Sequence, residues 1–295
     1  MAYLIGVIGD RDPTVFSKLD VRDIEFTELQ RCDLALYGRV VWSEPSALAT
    51  LKELDMIGHR MNKPILVMVV DDYELDLGDF NWLIMLRTSL KASLRKPNEL
   101  VLPYIWECQD QPFDVLAYTG TPIIGFCGLG SAHRQQLLSL LAAQPDFETH
   151  FIIHDRFWGG RPHDPELVSA FQANLRDCHF VVAQRGAGNF SMRFYQTLAA
   201  GRIPVLLDTD LCLPYDHEID WEASIVISPS LERIPRLIRA LCQQGHCEAV
   251  QRRCAAMFNQ HFRHLSLSAI LASLAQRWTF AQPRGYESVW VDPQG

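Results

Sequence analysis

The sequence predicts an α/β protein built on parallel β-sheet, and this prediction rests first on the stretch from His179 to Trp221. The features of this stretch follow one another in order: an apolar run at Phe180–Val182, a loop with Arg185, Gly186 and Gly188, a helix that begins near Asn189 or Ser191 and extends to Ala200, a stop at Gly201, and a second apolar run at Ile203–Leu207. Strand, glycine-containing loop, helix, glycine and strand in that order are typical of a right-handed βαβ unit.

Two further observations concern the whole chain. Apolar runs of strand length alternate with helical patterns along most of it, as expected of an α/β protein. A length of 295 residues favours two domains over one. The polar, turn-rich stretch from Gln109 to Pro122 is the predicted boundary, so we expect an N-terminal domain over 1–118 and a C-terminal domain over 119–295.

In the N-terminal domain the predicted elements are strands at Tyr3–Ile8, Leu34–Trp42, Pro64–Val70 and Leu100–Tyr104 and a helix at Pro45–Met61. The segment Phe80–Leu94 is apolar and then basic, and we interpret it as the solvated basic face of a helix, with contact to an anionic group as the alternative. Asp71 and Asp72 follow a strand directly, which places them in a solvated loop or at the edge of a cleft.

In the C-terminal domain the predicted elements around the central unit are strands at Ile123–Cys127, Phe151–His154 and Ser224–Ile227 and helices ending at Ala143 and spanning Pro165–Arg176, Leu231–Gln243, Glu248–Phe262 and Ser266–Arg277. The loop Gly128–Ser131 opens the first of these helices. It is either a second anion-binding loop or an ordinary tight turn. The tail from Gln282 to Gly295 is expected to be irregular.

Composition excludes several classes of protein. A hydrophobic content of 48% with 21% charged residues is that of a globular protein, and the net charge of −8 argues against a general nucleic-acid surface. The N-terminus lacks a basic leader, and no run is long enough for a membrane span. The eight cysteines contain no C-x-x-C pair, which predicts reduced thiols, a cytoplasmic location and no zinc site.

Helical geometry separates two faces of the helix that follows Gly188. Asn189, Arg193, Gln196 and Ala200 fall within a stripe of roughly 60°, which we expect to line a cleft wall, while the opposite side packs on the sheet. Arg185 in the loop and Arg193 one turn into the helix can both reach an anion at the helix N-terminus. The alternative is that Arg185 pairs with a surface carboxylate and that Arg193 only extends its charged end to solvent.

The same stretch resembles the exostosin family of glycosyltransferases over about forty residues. The matching residues are Arg185, Gly186, Ser191, Arg193, Gly201, Ile203, Pro204, Val205, Leu213, Pro214, Ile219, Asp220 and Trp221, with weaker similarity at 87–103 and 154–157. The resemblance implies a GT-B-type fold: two Rossmann-like domains with mostly parallel sheets face a cleft, the N-terminal domain being reduced. It also implies a nucleotide-sugar donor bound by the C-terminal half, inversion at the anomeric carbon, and final helices that pack back on the N-terminal domain.

Further expectations depend on this resemblance. The donor-binding residues would be Arg185, Gly186, Asn189, Ser191, Arg193 and Gln196, with no cofactor and no metal. The family usually has a glutamate where this chain has Gln196, and an amide lacks the charge-assisted strength of a carboxylate. Eukaryotic exostosins are Golgi membrane proteins, so a chain without an anchor resembles a bacterial-type soluble member, with peripheral membrane contact left open.

Sugar transfer with inversion needs a base, and Asp155 at a strand end is the first candidate, ahead of Glu99 and Asp71. Asp208-Thr209-Asp210 is a D-x-D sequence of the kind that holds a divalent cation, but its place in the family pattern favours a loop. Two hypotheses remain. One is a glycosyltransferase that acts on a glycan or glycoconjugate acceptor. The other is a non-catalytic protein that binds sugar nucleotides or glycans.

Overall fold

A computed structural model shows two parallel β-sheets flanked by helices. The structure describes residues 3–9, 19–20, 24–104, 108–266, 270 and 287–290. One sheet is formed by N-terminal strands and the other by strands from the second half of the chain. The predicted α/β fold class with two Rossmann-like, parallel sheets is confirmed by this topology.

The first sheet has six parallel strands in the order β3-β1-β4-β5-β6-β7. The strands of the first half are β1 (Tyr3–Ile8), β2 (Leu19–Asp20), β3 (Ile24–Phe26), β4 (Leu34–Val41), β5 (Ile65–Val70), β6 (Leu83–Arg87) and β7 (Glu99–Val101), and helix α1 spans Ala47–Met61. Five of the six residues of β5 are buried. A continuous apolar strand of this kind suits the middle of a parallel sheet, since helices cover both faces.

The expectation of a basic helix over Phe80–Leu94 is wrong. Its apolar part is strand β6, and only Ala92–Leu94 form a short 3₁₀ turn. Arg87 does not face solvent, because it is 1% exposed and its Nη1 lies 2.8 Å from Glu99 Oε1. A short apolar run fits a buried strand and a helix equally well by periodicity, so neighbouring strands decided the outcome.

The second sheet has five parallel strands in the order β12-β11-β10-β8-β9. The strands of the second half are β8 (Ile123–Leu129), β9 (Glu148–His154), β10 (Phe180–Val182), β11 (Ile203–Leu207), β12 (Val226–Ser228) and β13 (Leu265–Ser266). The helices are α2 (Ala132–Ala142), α3 (Pro165–Arg176), α4 (Met192–Ala199), α5 (Ile234–Gln243) and α6 (Cys247–Met257), with a π-helical turn at Phe258–Phe262 and 3₁₀ turns at Phe157–Gly160 and Leu231–Arg233.

Local signals placed several element ends correctly. Helix α3 begins where Asp164 Oδ1 accepts the backbone N–H groups of Glu166 (3.0 Å) and Leu167 (3.3 Å), with Pro165 at the first helical position. Gly201 follows α4 with φ +66°, a left-handed conformation that glycine adopts without strain. Strands β10 and β11 have the bounds predicted for them.

The expected cleft-facing stripe on α4 is wrong for Gln196 and Ala200, because the helix is buried from residue 194 onward. Every residue from 194 to 199 is buried, Gln196 is 7% exposed and Ala200 is 0% exposed. Helix α4 lies between the sheet and the elements α6 and Phe258–Phe262, and its Tyr195 ring is 5.6 Å from that of Phe262. This part of the helix is covered on both sides and has no exposed polar face.

The last part of the chain returns to the first half. Strand β13 pairs in parallel with β2, in the register Leu265 to Leu19. Of the predicted helix Ser266–Arg277 only Ser266 and Ile270 are described, so this prediction lies outside the described residues, as does the predicted tail apart from 287–290. No helix in the described ranges combines the length and apolar composition needed to cross a membrane.

Candidate functional site

The loops at the carboxyl ends of the two sheets meet one another. Residues that follow β5 and β6 contact residues that follow β10 and β11, and a narrow cleft lies between them. The cleft is lined from both halves of the chain by Thr88, Leu90, Val101, Ala183, Arg185, Asn189, Phe190, Ser191, Phe194, Tyr195, Leu206, Leu211, Cys212 and Leu213. Ligands of parallel α/β sheets bind at this edge, outside the carboxyl ends of the strands.

Asn189 joins the two halves. Its backbone N–H donates to Ser89 Oγ at 2.9 Å, and its Nδ2 donates to the carbonyls of Leu90 (3.2 Å) and Asp210 (2.9 Å). Its Oδ1 accepts the Thr209 hydroxyl at 2.6 Å. Asn189 is therefore buried and hydrogen-bonded to both halves of the chain, and its backbone N–H already has a protein partner.

Gly188 permits this close approach. A Cβ atom at this position would lie 2.9 Å from both Asp72 Cα and Ser89 Oγ, closer than such atoms come in proteins. The loop after β5 can therefore contact the glycine loop after β10 only because residue 188 has no side chain.

Arg193 lies between the glycine loop that follows β10 and strand β8. Its Nη2 donates to the Cys127 carbonyl at 2.6 Å, and its Cζ lies 4.6 Å from the centre of the Phe126 ring. Its Nε and Nη1 are buried and have no hydrogen-bond partner among the described residues. Burial and the nearby charge of Arg134 lower the pKa of Arg193 to about 9.

Arg134 is a second buried cation that the sequence interpretation missed. It is 6% exposed, and it donates to the carbonyls of Gln184 (3.2 Å) and Leu129 (2.9 Å). Its Cζ lies 5.8 Å from the centre of the Phe126 ring that Arg193 also contacts, and burial lowers its pKa. Within the described ranges neither arginine forms an ion pair, so two positive charges share one buried position.

The two glycine loops singled out in the sequence enclose this arginine pair. A Cβ atom on Gly128 would lie 2.2 Å from Arg193 Nη2, and one on Gly186 would lie 3.4 Å from Arg134 Nη2. The signal for Arg134 was present in the sequence. This residue stands in the first turn of the helix that Gly128–Ser131 opens, where a side chain can reach an anion at the loop.

We expect Gly128→Ala to displace the Arg193 guanidinium, because the new methyl group would overlap Nη2. Affinity for inorganic pyrophosphate should fall about tenfold, a loss of about 1.4 kcal/mol. Titration calorimetry measures this change. Gly78→Ala is the matched control, since Gly78 also has a positive φ but no atom lies within 4 Å of the place that its new methyl group would take. Equal losses in both variants would contradict the specific contact.

Arg185 forms an ion pair with a glutamate from the first half of the chain, unlike Arg134 and Arg193. Its Nη2 contacts Glu74 Oε1 from the loop after β5 and donates to the Ala187 carbonyl at 2.9 Å. Its Nη1 is 3.4 Å from Asn189 Oδ1. Arg185 thus lines the cleft together with Asn189 and Ser191, where a donor-binding residue is expected to lie, and its role toward a donor stays a prediction.

Ser191 and Gln196 occupy different positions. Ser191 is the residue before α4, is 8% exposed and lines the cleft. Gln196 lies inside α4, where its backbone carbonyl accepts the Ala200 backbone N–H at 3.0 Å. The structure therefore brings Ser191 to the cleft with Arg185 and buries Gln196 within the second domain.

The base candidates differ in environment. Asp155 is exposed just beyond β9, which is an edge strand of the second sheet. Asp71 follows β5 and is buried, with its Oδ1 accepting the Tyr73 N–H at 2.7 Å and its Oδ2 3.9 Å from Arg87 Nη2. Burial raises the pKa of Asp71 to about 7, although Arg87 opposes the shift. Asp71 is thus a buried carboxyl with a strongly raised pKa, a combination that is common at functional sites.

The D-x-D carboxylates have backbone and hydroxyl partners. Asp208 Oδ1 accepts the Leu211 N–H at 2.9 Å. Asp210, which has φ +67°, accepts the Ser93 N–H at 3.1 Å and contacts the Ser93 hydroxyl from the other domain. These bonds agree with the loop interpretation of the motif. The absence of a metal requirement stays a prediction.

Comparison with known proteins gives a short sequence match. No family model matches the chain. A stretch of 73 residues is 32% identical to Exostosin-1 from Drosophila melanogaster, which is 24% of this chain and only 10% of that protein. Membership of the exostosin family therefore stays a prediction.

Likeness to solved structures extends over more of the chain at low identity. A protein from Listeria monocytogenes described as a UDP-N-acetylglucosamine 2-epimerase is 10% identical, with TM-score 0.39 and coverage of 98% of this chain and 99% of that one. WaaG, a glycosyltransferase involved in lipopolysaccharide biosynthesis, is 9% identical, with TM-score 0.42 and coverage of 94% and 100%. S. aureus TarM, bound to UDP, Fondaparinux and α-GlcNAc-glycerol, is 9% identical, with TM-score 0.44 and coverage of 83% and 54%.

Proposed function

We propose that this protein is an inverting, metal-independent glycosyltransferase that moves a sugar from a nucleotide-sugar donor to a glycan or glycoconjugate acceptor. The observation that carries the proposal is the arginine pair, Arg134 and Arg193, which lies between two glycine loops at the carboxyl ends of parallel strands and has no carboxylate partner among the described residues. The match to Exostosin-1 over 73 residues supports the same reaction class.

Electrostatics explains why the pair points to an anion. A buried charge without a partner costs several kcal/mol, and a second like charge beside it adds to that cost. Two more buried polar atoms on the same loops, Ser131 Oγ and Gln184 Nε2, also have no described partner. An oxyanion that accepts hydrogen bonds from these donors would satisfy them together.

A diphosphate suits this arrangement because it carries several negative oxygens. When the sugar–phosphate bond breaks, negative charge develops on the leaving diphosphate, and fixed guanidinium groups stabilise that charge without a metal ion. In this proposal Arg134 and Arg193 stabilise the leaving group, while Arg185, Gly186, Asn189 and Ser191 form the adjacent cleft wall.

The acceptor hydroxyl must lose its proton as it attacks the anomeric carbon from the side opposite the leaving group. Asp155 remains the first proposed base, since an exposed carboxyl beyond β9 is free to approach an acceptor. Asp71 is the second candidate, because its raised pKa lies near the operating pH of a general base.

The direct test is thermal unfolding with a panel of nucleoside diphosphates and nucleotide sugars, each with magnesium and with chelator. A ligand that binds only the folded protein raises the Tm, by the equivalent of about 2.7 kcal/mol at one hundred times its Kd. We expect one nucleoside diphosphate to raise the Tm equally in magnesium and in chelator. The absence of a shift with every nucleotide would refute the donor site.

The second candidate is a non-catalytic protein that binds sugar nucleotides or glycans. It is favoured by Gln196, which stands where the family usually has glutamate and is buried inside α4. The two candidates differ in chemistry, not in binding. Release of free nucleoside diphosphate from the bound donor, with or without an acceptor, supports the transferase, whereas tight donor binding with no release supports the binding protein.

A further inference from the structure

The cleft contains a second cationic position, formed by both domains. Arg185 belongs to the loop after β10, and Lys91 belongs to the segment after β6. Glu74, from the loop after β5, lies between them, with Oε1 at Arg185 Nη2 and Oε2 3.2 Å from Lys91 Nζ. Three separate loops therefore converge on one carboxylate.

The charges at this position do not balance. Two cations share the single carboxylate of Glu74, and the buried Nε of Arg185 has no hydrogen-bond partner among the described residues. The side chains of Arg185, Glu74 and Lys91 are 11%, 15% and 36% exposed, so water screens the surplus charge only in part and mainly at Lys91.

Neighbouring basic residues are paired elsewhere. Arg95 lies 3.2 Å from Asp216, and Lys96 lies 2.7 Å from both Asp76 and Asp79. The surplus positive charge is thus a property of Arg185 and Lys91 and not of the whole basic segment.

This position adjoins the arginine pair of the proposed donor site. Gly186 is next to Arg185 in the chain, and a Cβ atom added to it would lie 3.4 Å from Arg134 Nη2. Two linked phosphoryl groups would need this adjacency to contact both positions, whereas a single phosphoryl group on another molecule would need only the second one.

We propose that Arg185 and Lys91 form a phosphoryl-binding subsite shared by the two domains, and that the Glu74 carboxylate occupies this subsite until a ligand displaces it. This inference rests on the proposed function, because it gives the donor cleft a second anion position. The carboxylate is an internal substitute for phosphoryl oxygens, because a guanidinium binds carboxylate and phosphoryl oxygens by the same kind of charge-assisted hydrogen bond.

The test compares pyrophosphate affinity in three variants by titration calorimetry. Glu74→Gln removes the competing charge and should bind pyrophosphate about tenfold more tightly than the unmodified protein. Asp76→Asn is the matched control, because it removes one negative charge from the same loop, where Asp76 pairs with Lys96, and leaves Lys96 paired with Asp79. The pyrophosphate affinity of this control should change less than twofold. Arg185→Gln combined with Glu74→Gln should abolish the gain.

Several outcomes overturn the inference. Equal gains in Glu74→Gln and Asp76→Asn would show a general charge effect, and weaker binding by Glu74→Gln would show that Glu74 supports the ligand. Should Glu74→Gln fail to fold, Lys91→Met in the unmodified background replaces it and should weaken pyrophosphate binding several-fold. Unchanged affinity in Lys91→Met refutes the subsite.

Failure of this inference and failure of the proposed function are distinguishable. Pyrophosphate binding that depends on Arg193 but not on Glu74 or Lys91 refutes the subsite and leaves the donor site standing. No pyrophosphate binding by any variant refutes both. A further titration, with inorganic phosphate in the presence of saturating nucleoside diphosphate, shows which molecule supplies the phosphoryl group. If the nucleotide blocks phosphate binding, the subsite belongs to the donor. If phosphate still binds, the subsite belongs to a phosphorylated acceptor.

Discussion

Replacing Arg193 by methionine is expected to weaken nucleoside diphosphate binding about a hundredfold and yet to raise the Tm of the unliganded protein. The loss of affinity corresponds to about 2.8 kcal/mol, reasonable for charge-assisted hydrogen bonds to a buried anion. The stabilisation arises because methionine keeps the packing over Phe126 while removing a buried charge that has no ion-pair partner among the described residues. We expect this gain to exceed the cost of losing the single hydrogen bond from Arg193 to the Cys127 carbonyl. Replacing buried ionic groups by apolar ones of similar volume often stabilises a protein by about 1 to 4 kcal/mol.

Arg134→Met is the matched control for this prediction. Arg134 satisfies the carbonyls of Gln184 and Leu129, and each carbonyl left without a donor costs about 1 kcal/mol or more. Arg134→Met should therefore bind nucleotide weakly and also unfold at a lower temperature. Calorimetric unfolding with and without nucleotide measures both quantities. A destabilised Arg193→Met protein that keeps its affinity would assign Arg193 a structural role and remove the main support for the donor site.

Replacing Asp71 by asparagine is expected to make stability less dependent on pH. The pKa of Asp71 is about 7 in the folded protein, against an ordinary value of 3.8, so the folded state retains a proton that the unfolded state releases between these limits. Ionisation of Asp71 therefore lowers the free energy of unfolding as pH rises from about 4 to 7, and the full cost persists above pH 7. A shift of this size corresponds to about 4 kcal/mol.

Asparagine cannot ionise, and its amide oxygen still accepts the Tyr73 N–H. The free energy of unfolding of Asp71→Asn should therefore match that of the unmodified protein near pH 4. At about pH 8 it should be higher by the whole cost of ionising Asp71 in the folded state. Urea unfolding at several pH values measures this change. Glu99→Gln is the control, because Glu99 makes the 2.8 Å ion pair with Arg87, and its loss should destabilise the protein at neutral pH. The prediction is wrong if Asp71→Asn and the unmodified protein keep parallel pH profiles.

The same properties that make Asp71 costly to bury make it a candidate for function. Its Oδ2 has no hydrogen-bond partner among the described residues, and it lies behind Thr88 at the wall of the interdomain cleft. A carboxyl in this setting resembles the perturbed acids found at active sites. If Asp71→Asn gains stability and loses sugar transfer while donor binding is retained, the proposed base is Asp71 and not Asp155.

The sequence by itself determined the local structure of the central unit. Apolar β-branched runs, Asp164 before Pro165, and Gly201 after a helical pattern act over a few residues, so their effect does not depend on the rest of the chain. The loop at Gly186 with Arg193 suggested an anion-binding pattern for the same reason, and this role stays a prediction. The parallel direction of the strands also followed, because a helix between two strands carries the chain back to the same end of the sheet.

Only the tertiary structure decided which side chains meet. Arg134 and Arg193 are far apart in sequence and share the Phe126 ring because β8 and β10 are neighbours in the sheet. Glu74 reaches Arg185 across the two domains. The sequence showed that Asp71 follows a strand, but its burial depends on the loops packed over it. Charge and pKa at the site are set by such long-range contacts, whereas helix ends and strand runs are set by neighbours along the chain.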